Sequence, residues 1–125
     1  MDVTPLIPVG RQVIQSYSEN GFKVSGEIYQ TPIIVTAEKT FIWAEHISIE
    51  QLSFGNFEPF IEEFQHYDVH LFGTGSISVF PPETVIKELK QQNVMLDIMD
   101  TGAACRTYNV LMAEDRRVAA WLLIP

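Results

Sequence analysis

The chain has 125 residues, 46% of them hydrophobic, including eight Phe, four Tyr and two Trp. This length suits one domain (residues 1–125) with one core, and so much apolar surface argues against disorder. The net charge of -8 and the pI of about 4.7 argue against nucleic acid and anionic membranes as partners, because both attract basic surfaces.

The sequence also bears on processing and compartment. Its first residues, Met1–Leu6, show no basic region followed by an apolar run, so no signal peptide is predicted. The apolar runs are too short for a bilayer, which takes ~20 residues. Cys105 is the single cysteine, which excludes an intrachain disulfide and fits a reducing compartment. We therefore expect a cytoplasmic protein without a transmembrane segment.

Two β-rich runs follow an N-terminal arm, residues 1–11, which its prolines and glycine predict to be irregular. The runs, residues 12–17 and 22–29, flank Ser18-Glu-Asn-Gly21. Asn-Gly between two such runs predicts a β-hairpin. Gly26 interrupts the alternation of the second run, which predicts a bulge at that position.

A second strand pair and a helix are predicted next. Residues 32–36 and 40–44 are β-rich and surround a short turn. Ser48 followed by Gln51 predicts a short capped turn. Four apolar residues then recur at helical spacing, which predicts a helix near residues 58–66; they are Phe57, Phe60, Ile61 and Phe64.

The last sixty residues predict a βαβαβ unit. Strands are expected at residues 68–73, 94–99 and 117–124, with one helix beginning near Pro82 and another near Asp100. The middle run is almost wholly apolar, as in a strand covered on both faces. Because the turns after parallel strands open at one edge of a sheet, the turns after the first two strands should lie together.

An acidic interval without lysine or arginine extends from residue 40 to residue 86. It contains seven carboxylates: Glu45, Glu50, Glu58, Glu62, Glu63, Asp68 and Glu83. An ordinary solvated face accounts for such a run. A docking surface for a basic partner accounts for it too, since complementary fields steer the encounter of two proteins.

The first of the two turns, Gly73-Thr-Gly75, is a partial dinucleotide-binding fingerprint. Asp97 lies about 20 residues further on, as that fingerprint requires. However, Ser78 replaces the third glycine, and Phe80-Pro-Pro82 delays the helix whose N-terminus would bind the pyrophosphate. Glycines that simply permit a sharp turn explain the pattern as well. The sequence has no phosphate-binding Gly-Lys-Ser/Thr loop and no Gly-x-Ser-x-Gly motif.

The second turn opens with Asp100-Thr-Gly102, which is typical of a capped helix start. Helical geometry places five of the following residues on one face, and that face should pack on the sheet; they are Ala104, Cys105, Tyr108, Leu111 and Met112. Cys105 is therefore predicted to be a small buried side chain rather than a nucleophile, which would need exposure and a nearby base.

Arg106 is predicted to point away from this apolar face, with Asn109 three residues on. Three roles are open for its guanidinium. It can be solvated, it can pair with Asp97 or Asp100, or it can bind an anion near Gly73.

The histidines do not form a metal motif. His66 and His70 have the spacing of a zinc-protease helix, but Tyr67 stands where its glutamate would be, and His70 falls on a predicted strand. We expect no metal and no cofactor.

Three stretches together resemble a widespread uncharacterised domain family: Leu71-Phe-Gly-Thr-Gly-Ser, Phe80-Pro-Pro, and the long string from Asp97 to Leu111. That family includes bacterial proteins of unknown function, the third mitochondrial complex I assembly factor and the adipogenesis-associated domain protein of animals. The resemblance covers nearly the whole chain and is most specific from residue 69 to residue 124.

The resemblance implies a three-layer α/β domain with a central mixed sheet, flanking helices and a smaller β layer, which agrees with the βαβαβ prediction. It implies no established enzymatic activity. Its mitochondrial branch implies a role in assembling membrane complexes, and its bacterial members imply a place near protein-export components. Without a mitochondrial transit peptide, the chain looks like a bacterial, cytoplasmic member.

Two functions are open. The first is a non-catalytic binding or assembly factor-like protein whose partner is another protein, such as a membrane-complex subunit or an export component. The second is a small-ligand protein or an enzyme, with a pocket where the two turns meet. Five residues would line that pocket: Gly73, Gly75, Asp100, Thr101 and Arg106.

Overall fold

The computed structural model describes residues 10–125, and most of the predicted N-terminal arm lies outside this part of the chain. It shows an α/β domain with a small antiparallel sheet, a central mixed sheet and three helices. In chain order these are β1 (Ile14–Ser18), β2 (Gly21–Val24), β3 (Glu27–Tyr29), β4 (Ile33–Val35), β5 (Thr40–Ile42), α1 (Phe54–Phe64), β6 (Val69–Gly73), α2 (Glu83–Gln91), β7 (Leu96–Met99), α3 (Thr101–Ala113) and β8 (Val118–Leu122).

The predicted hairpin at the start of the chain is confirmed, but its second run is two strands. β2 pairs with β1 and with β3, both antiparallel. Ser25 and Gly26 form the turn between β2 and β3, with φ of 45° and 88°. The bulge predicted at Gly26 is therefore wrong, because these two positive φ angles reverse the chain. The irregular pairing lies instead in β1, between Ile14 and Ser16.

The central sheet has the strand order β5-β4-β8-β6-β7. β6 runs parallel to β7 on one side and to β8 on the other, while β4 joins β8 and β5 antiparallel. The strand predicted at residues 94–99 is confirmed, but it is not covered on both faces. It is an edge strand with exposed Asp97, whereas β8 is buried along its whole length.

The helix predicted near residues 58–66 begins earlier, at Phe54. Asn56 fixes this start because its Oδ1 accepts the backbone N–H of Ser53 at 2.9 Å. The turn predicted at Ser48–Gln51 is a short 3-10 helix, but Ser48 does not cap it. The Ser48 hydroxyl donates to the Glu50 carboxylate at 2.8 Å instead.

Each face of the central sheet carries its own buried cluster. On one face, α1 and α2 pack over an aromatic group in which the ring centroids of Trp43, Phe57 and Trp121 lie 5.0–5.3 Å apart. On the other face, α3 and the small sheet cover Leu71 and the opposite side of β8. The layers are thus helices, central sheet, and α3 with the small sheet, which confirms the predicted three-layer α/β class.

Candidate functional site

The predicted turns do meet at one edge of the central sheet. β6 and β7 are parallel neighbours, and the connections that leave them go to opposite faces, through α2 and through α3. This is the kind of switch point at which open α/β sheets bind ligands. The position of the turns therefore agrees with the sequence-based prediction. Whether a ligand could bind there depends on which side chains fill the space between the turns.

Thr101 fills the space between the turns. Its hydroxyl accepts the N–H of Gly75 at 2.9 Å and donates to the carbonyl of Leu123 at 2.7 Å. Its backbone N–H donates to the carbonyl of Gly75 at 2.8 Å. Because Thr101 is fully buried, its polar atoms are committed to the chain itself.

The two glycines serve this closure in different ways. Gly73 lies so close to α3 that a Cβ there would come within 2.8 Å of the Thr101 Cα. Gly75 has φ of 115°, a backbone conformation that residues other than glycine rarely adopt. Both are buried, so Gly73-Thr-Gly75 is a packed turn rather than an open phosphate-binding loop.

Asp100 is the cap that the sequence predicted. Its Oδ1 accepts the backbone N–H of Ala103 at 2.9 Å, which satisfies one free donor of the first turn of α3. Gly73, Gly75, Asp100 and Thr101 are therefore brought together, with Asp100 partly exposed at the rim.

Arg106 is placed elsewhere. It is exposed, and its Nη1 donates to the hydroxyl of Tyr17 in the small sheet at 2.6 Å. Within residues 10–125 the ion pairs are Arg11–Asp115 and Lys87–Glu83. The predicted pairing of Arg106 with Asp97 or Asp100 is therefore wrong, because α3 turns this side chain toward β1.

The apolar face of α3 is confirmed, with Cys105 fully buried. Desolvation raises the pKa of the Cys105 thiol to about 12, although the nearby Arg106 charge opposes this. A thiol with this pKa holds almost no thiolate near neutral pH, so it is a poor nucleophile.

Asn109 was predicted to lie off that face, and it is buried instead. Its Oδ1 accepts the N–H of Ile14 at 3.1 Å, and its Nδ2 donates to the carbonyl of Ile14 at 2.8 Å. The amide thus pairs with one backbone residue of β1 and joins the small sheet to α3. One signal for this role is present in the sequence. Asn109 lies four residues after Cys105, and helical geometry places residues with this spacing on the same side of a helix.

His70 is a buried polar residue whose environment the sequence did not indicate. Its Nδ1 accepts from the Nε1 of Trp121 at 3.2 Å, while its Nε2 is buried without a hydrogen-bond partner. Desolvation lowers the pKa of His70, with smaller opposing effects from Asp97 and the backbone of Phe64. Across residues 10–125, no cluster of three His, Cys, Asp or Glu residues could hold a metal ion.

An open groove of about 350 Å³ lies beside the packed turn. One wall comes from the segment around Ile47 and Ile49, and the other from Gly75, Ile77 and Val79. The connection after β6 thus has two parts, a buried turn (residues 73–75) and an exposed loop (residues 76–80), which we call the Phe80 loop.

The acids of α1 form a separate exposed feature. Glu58, Glu62 and Glu63 are all exposed, and none forms an ion pair with any residue of the described range 10–125. We call these three residues the α1 acidic face.

A family described as "Protein of unknown function (DUF498/DUF598)" matches residues 14–123. The chain belongs to this family. The match confirms the resemblance drawn from the sequence and includes every strand and helix of the domain.

Relatives of the chain come from vertebrates and from bacteria. The NADH dehydrogenase [ubiquinone] 1 alpha subcomplex assembly factor 3 of Danio rerio is 36% identical over 118 residues, which cover 90% of this chain and 64% of that protein. The human protein of the same name is 29% identical, with 60% of its length covered. The chain thus spans a little under two thirds of these proteins. An uncharacterized protein of Rhodobacter capsulatus is 29% identical, with 91% and 86% covered.

Solved structures share the fold. A Bordetella parapertussis protein superposes with a TM-score of 0.80 at 26% identity, covering 94% of this chain and all of that one. A protein described as an outer membrane protein from Bartonella henselae gives 0.79 at 32% identity, with 92% and 96% covered. In residues 10–125 of the present chain, no helix is long and apolar enough to cross a membrane.

Proposed function

We propose that the chain is a non-catalytic, protein-binding domain with an assembly factor-like role. The names of its vertebrate relatives, which describe them as an assembly factor, support a role in the assembly of a larger complex. Its partner would then be another protein, such as a subunit of a membrane complex or an export component, met in the cytoplasm. In the described part of the chain, Thr101 closes the buried turn and the raised pKa keeps the Cys105 thiol protonated, so neither feature supports catalysis.

The α1 acidic face is the observation that carries this proposal. Its three carboxylates are exposed on successive turns of one helix, within an interval that has no lysine or arginine from residue 40 to residue 86. Unpaired charges of one sign favour a partner of the opposite sign and accelerate its encounter. The partner is therefore expected to present basic residues to α1.

Charge reversal tests this proposal. Glu58, Glu62 and Glu63 are changed together to Lys, and partner capture by the tagged domain in its native host is measured by crosslinking and mass spectrometry. The domain should stay folded, because exposed helix positions tolerate change and cations suit the last turn of a helix. Capture should fall, and in the wild type it should weaken as salt rises.

A control variant separates this surface from overall charge. Three other glutamates are also exposed but lie elsewhere: Glu19 between β1 and β2, Glu27 in β3, and Glu114 after α3. Their reversal to Lys makes the same change in net charge and should leave capture unchanged. Capture that is unaffected at low salt by reversal of the α1 acidic face would overturn the proposal.

A small-ligand or enzymatic function is the second candidate, and the groove beside Gly75 favours it. Asp100 lies at the rim of the two turns, whereas Arg106 is turned away from them toward Tyr17. If this candidate holds, phosphate, nucleotides or small carboxylates should raise the melting temperature, by mass action on the folded state. Arg106→Ala is the control that should leave the rise unchanged, because this side chain is turned toward Tyr17.

A further inference from the structure

The Phe80 loop exposes two large apolar side chains. Phe80 is 80% exposed and Ile77 is 68% exposed, although they lie within four residues of each other. Scattered exposed apolar residues are common on protein surfaces. Two of them in one loop, beside a groove that Ile47, Ile49 and Val79 help to line, are a concentration of the kind that marks interaction sites.

The loop that carries these side chains is held in place. The Thr74 hydroxyl donates to the carbonyl of Ile77 at 2.7 Å and accepts the N–H of Val79 at 3.1 Å. Pro81, which follows Phe80, is buried. Because both ends are fixed, Phe80 is presented at little cost in conformational entropy on binding.

The groove beside the loop has a mixed lining of apolar and polar residues, which includes one carboxylate. Ile47, Ile49 and Val79 line it together with the Glu50 side chain, which the Ser48 hydroxyl holds by a bond of 2.8 Å. Two of its walls, from residues 47–50 and 74–79, belong to the interval without lysine or arginine. The groove therefore combines apolar side chains with one carboxylate that forms no ion pair within residues 10–125.

We propose that the groove and the Phe80 loop dock a segment of another protein that places apolar side chains next to lysine or arginine. This inference rests on the proposed protein-binding function and names a second contact surface for it. Aromatic side chains that are exposed in the free protein and buried on binding are typical anchors of interfaces, and Phe80 fits that role. The Glu50 carboxylate would pair with the cation of the segment.

The charge of the groove distinguishes a protein segment from a lipid surface. Exposed phenylalanine and isoleucine side chains are also found in segments that insert into the surface of a membrane, so lipid is an alternative ligand for Phe80 and Ile77. However, none of the residues that line the groove is a lysine or an arginine, and the Glu50 carboxylate would repel anionic lipid. A basic and apolar protein segment satisfies both features of the groove at once.

Photo-crosslinking in the native host tests this surface. Benzoylphenylalanine is placed at Phe80 in the full chain, with a control at Val110, which is 59% exposed on α3. The Phe80 probe should give a discrete protein adduct that the Val110 probe does not. The crosslinked peptide, identified by mass spectrometry, should combine apolar residues with lysine or arginine. An acidic peptide, or equal adducts from both positions, would overturn the proposal.

The crosslinked peptide is then synthesised and its affinity for purified domains is measured. Phe80→Ala and Glu50→Lys should each weaken binding by about tenfold or more, as for anchor residues of interfaces. Val110→Ala should leave the affinity unchanged. Unaltered affinity of the Phe80 and Glu50 variants would contradict the assignment of the groove.

Two outcomes separate this inference from the proposed function. If the α1 acidic face governs capture but the Phe80 probe crosslinks nothing, the groove is wrong and the protein-binding function stands. If the domain instead floats with vesicles of phosphatidylglycerol and phosphatidylethanolamine and loses this with Phe80→Ala, the loop is a lipid anchor. That result would overturn the docking of a protein segment.

Discussion

The connection after β6 contains two adjacent regions with opposite properties. Residues 73–75 are buried and bonded to α3 and to the chain after β8, while the Phe80 loop that follows exposes most of its side chains. The glycines that resemble a ligand-binding fingerprint belong to the first region, where they allow close packing. The buried turn therefore maintains the fold, whereas the exposed part of this connection begins at residue 76.

The largest expected effect comes from the centre of the buried turn. Thr101→Val keeps the shape of the side chain but leaves the N–H of Gly75 and the carbonyl of Leu123 without their partner. Losing two buried hydrogen bonds should lower the free energy of unfolding by roughly 2–5 kcal/mol. Urea denaturation measures this, with exposed Thr84→Val on α2 as the control that should change little. Equal stability of the two variants would show that the turn is not held by Thr101.

A glycine substitution tests the close packing of the same buried turn. Gly73→Ala would bring a methyl group to 2.8 Å from the Thr101 Cα, a backbone atom that cannot move aside alone. The cost should be roughly 1–3 kcal/mol, as for overpacking in a core. Gly55→Ala is the matched control, because this exposed glycine lies in α1 with room for a methyl group and should gain about 0.5–1 kcal/mol. A stable Gly73→Ala variant would contradict the packed turn.

The dependence of stability on pH tests whether His70 is buried in β6. Burial lowers the pKa of His70 below its ordinary 6.5, so the unfolded chain takes up a proton first as the pH falls. Stability should therefore be full above about pH 6.5 and decline below it. His70→Asn should reduce this decline in urea melts between pH 7.5 and 5, while exposed His66→Asn should keep it. If stability declines with falling pH as steeply in the His70 variant as in the wild type, His70 is not the cause of the decline.

The smallest stability effect is expected at Cys105. Cys105→Ala removes one buried sulfur atom and should cost about 1 kcal/mol, without loss of partner capture. In the wild type, the buried thiol with its raised pKa should react slowly with a thiol reagent. Rapid labelling under native conditions would mean that α3 opens away from the sheet, contrary to the packing described above.

The sequence predicted the local features of the fold and missed those set by distant parts of the chain. The βαβαβ unit, the Asp100 cap and the apolar face of α3 follow from periodicity and capping, which are local. The edge position of β7 depends on strand order, and an apolar run carries no information about it. Gly26 was misread because Ser25 adopts the positive φ that the turn requires, which is uncommon for serine.

The candidate site shows the same division. The sequence placed the two turns together because parallel strands impose this. It could not show that the Thr101 hydroxyl fills the space between them, since that depends on a contact with Leu123. Arg106 and Asn109 were misplaced because their partners, Tyr17 and Ile14, are 89 and 95 residues away in the chain.

Hydrogen exchange of the domain, alone and with the protein captured from its native host, tests whether α1 and the Phe80 loop bind a partner. Binding should slow amide exchange in α1 and in residues 76–80, where the exposed acidic and apolar side chains lie. Residues 73–75 and the start of α3 should be protected in both states, because their N–H groups are already bonded within the chain. Protection that appears only at residues 73–75 and 101–106, with α1 and the Phe80 loop unchanged, would contradict the account.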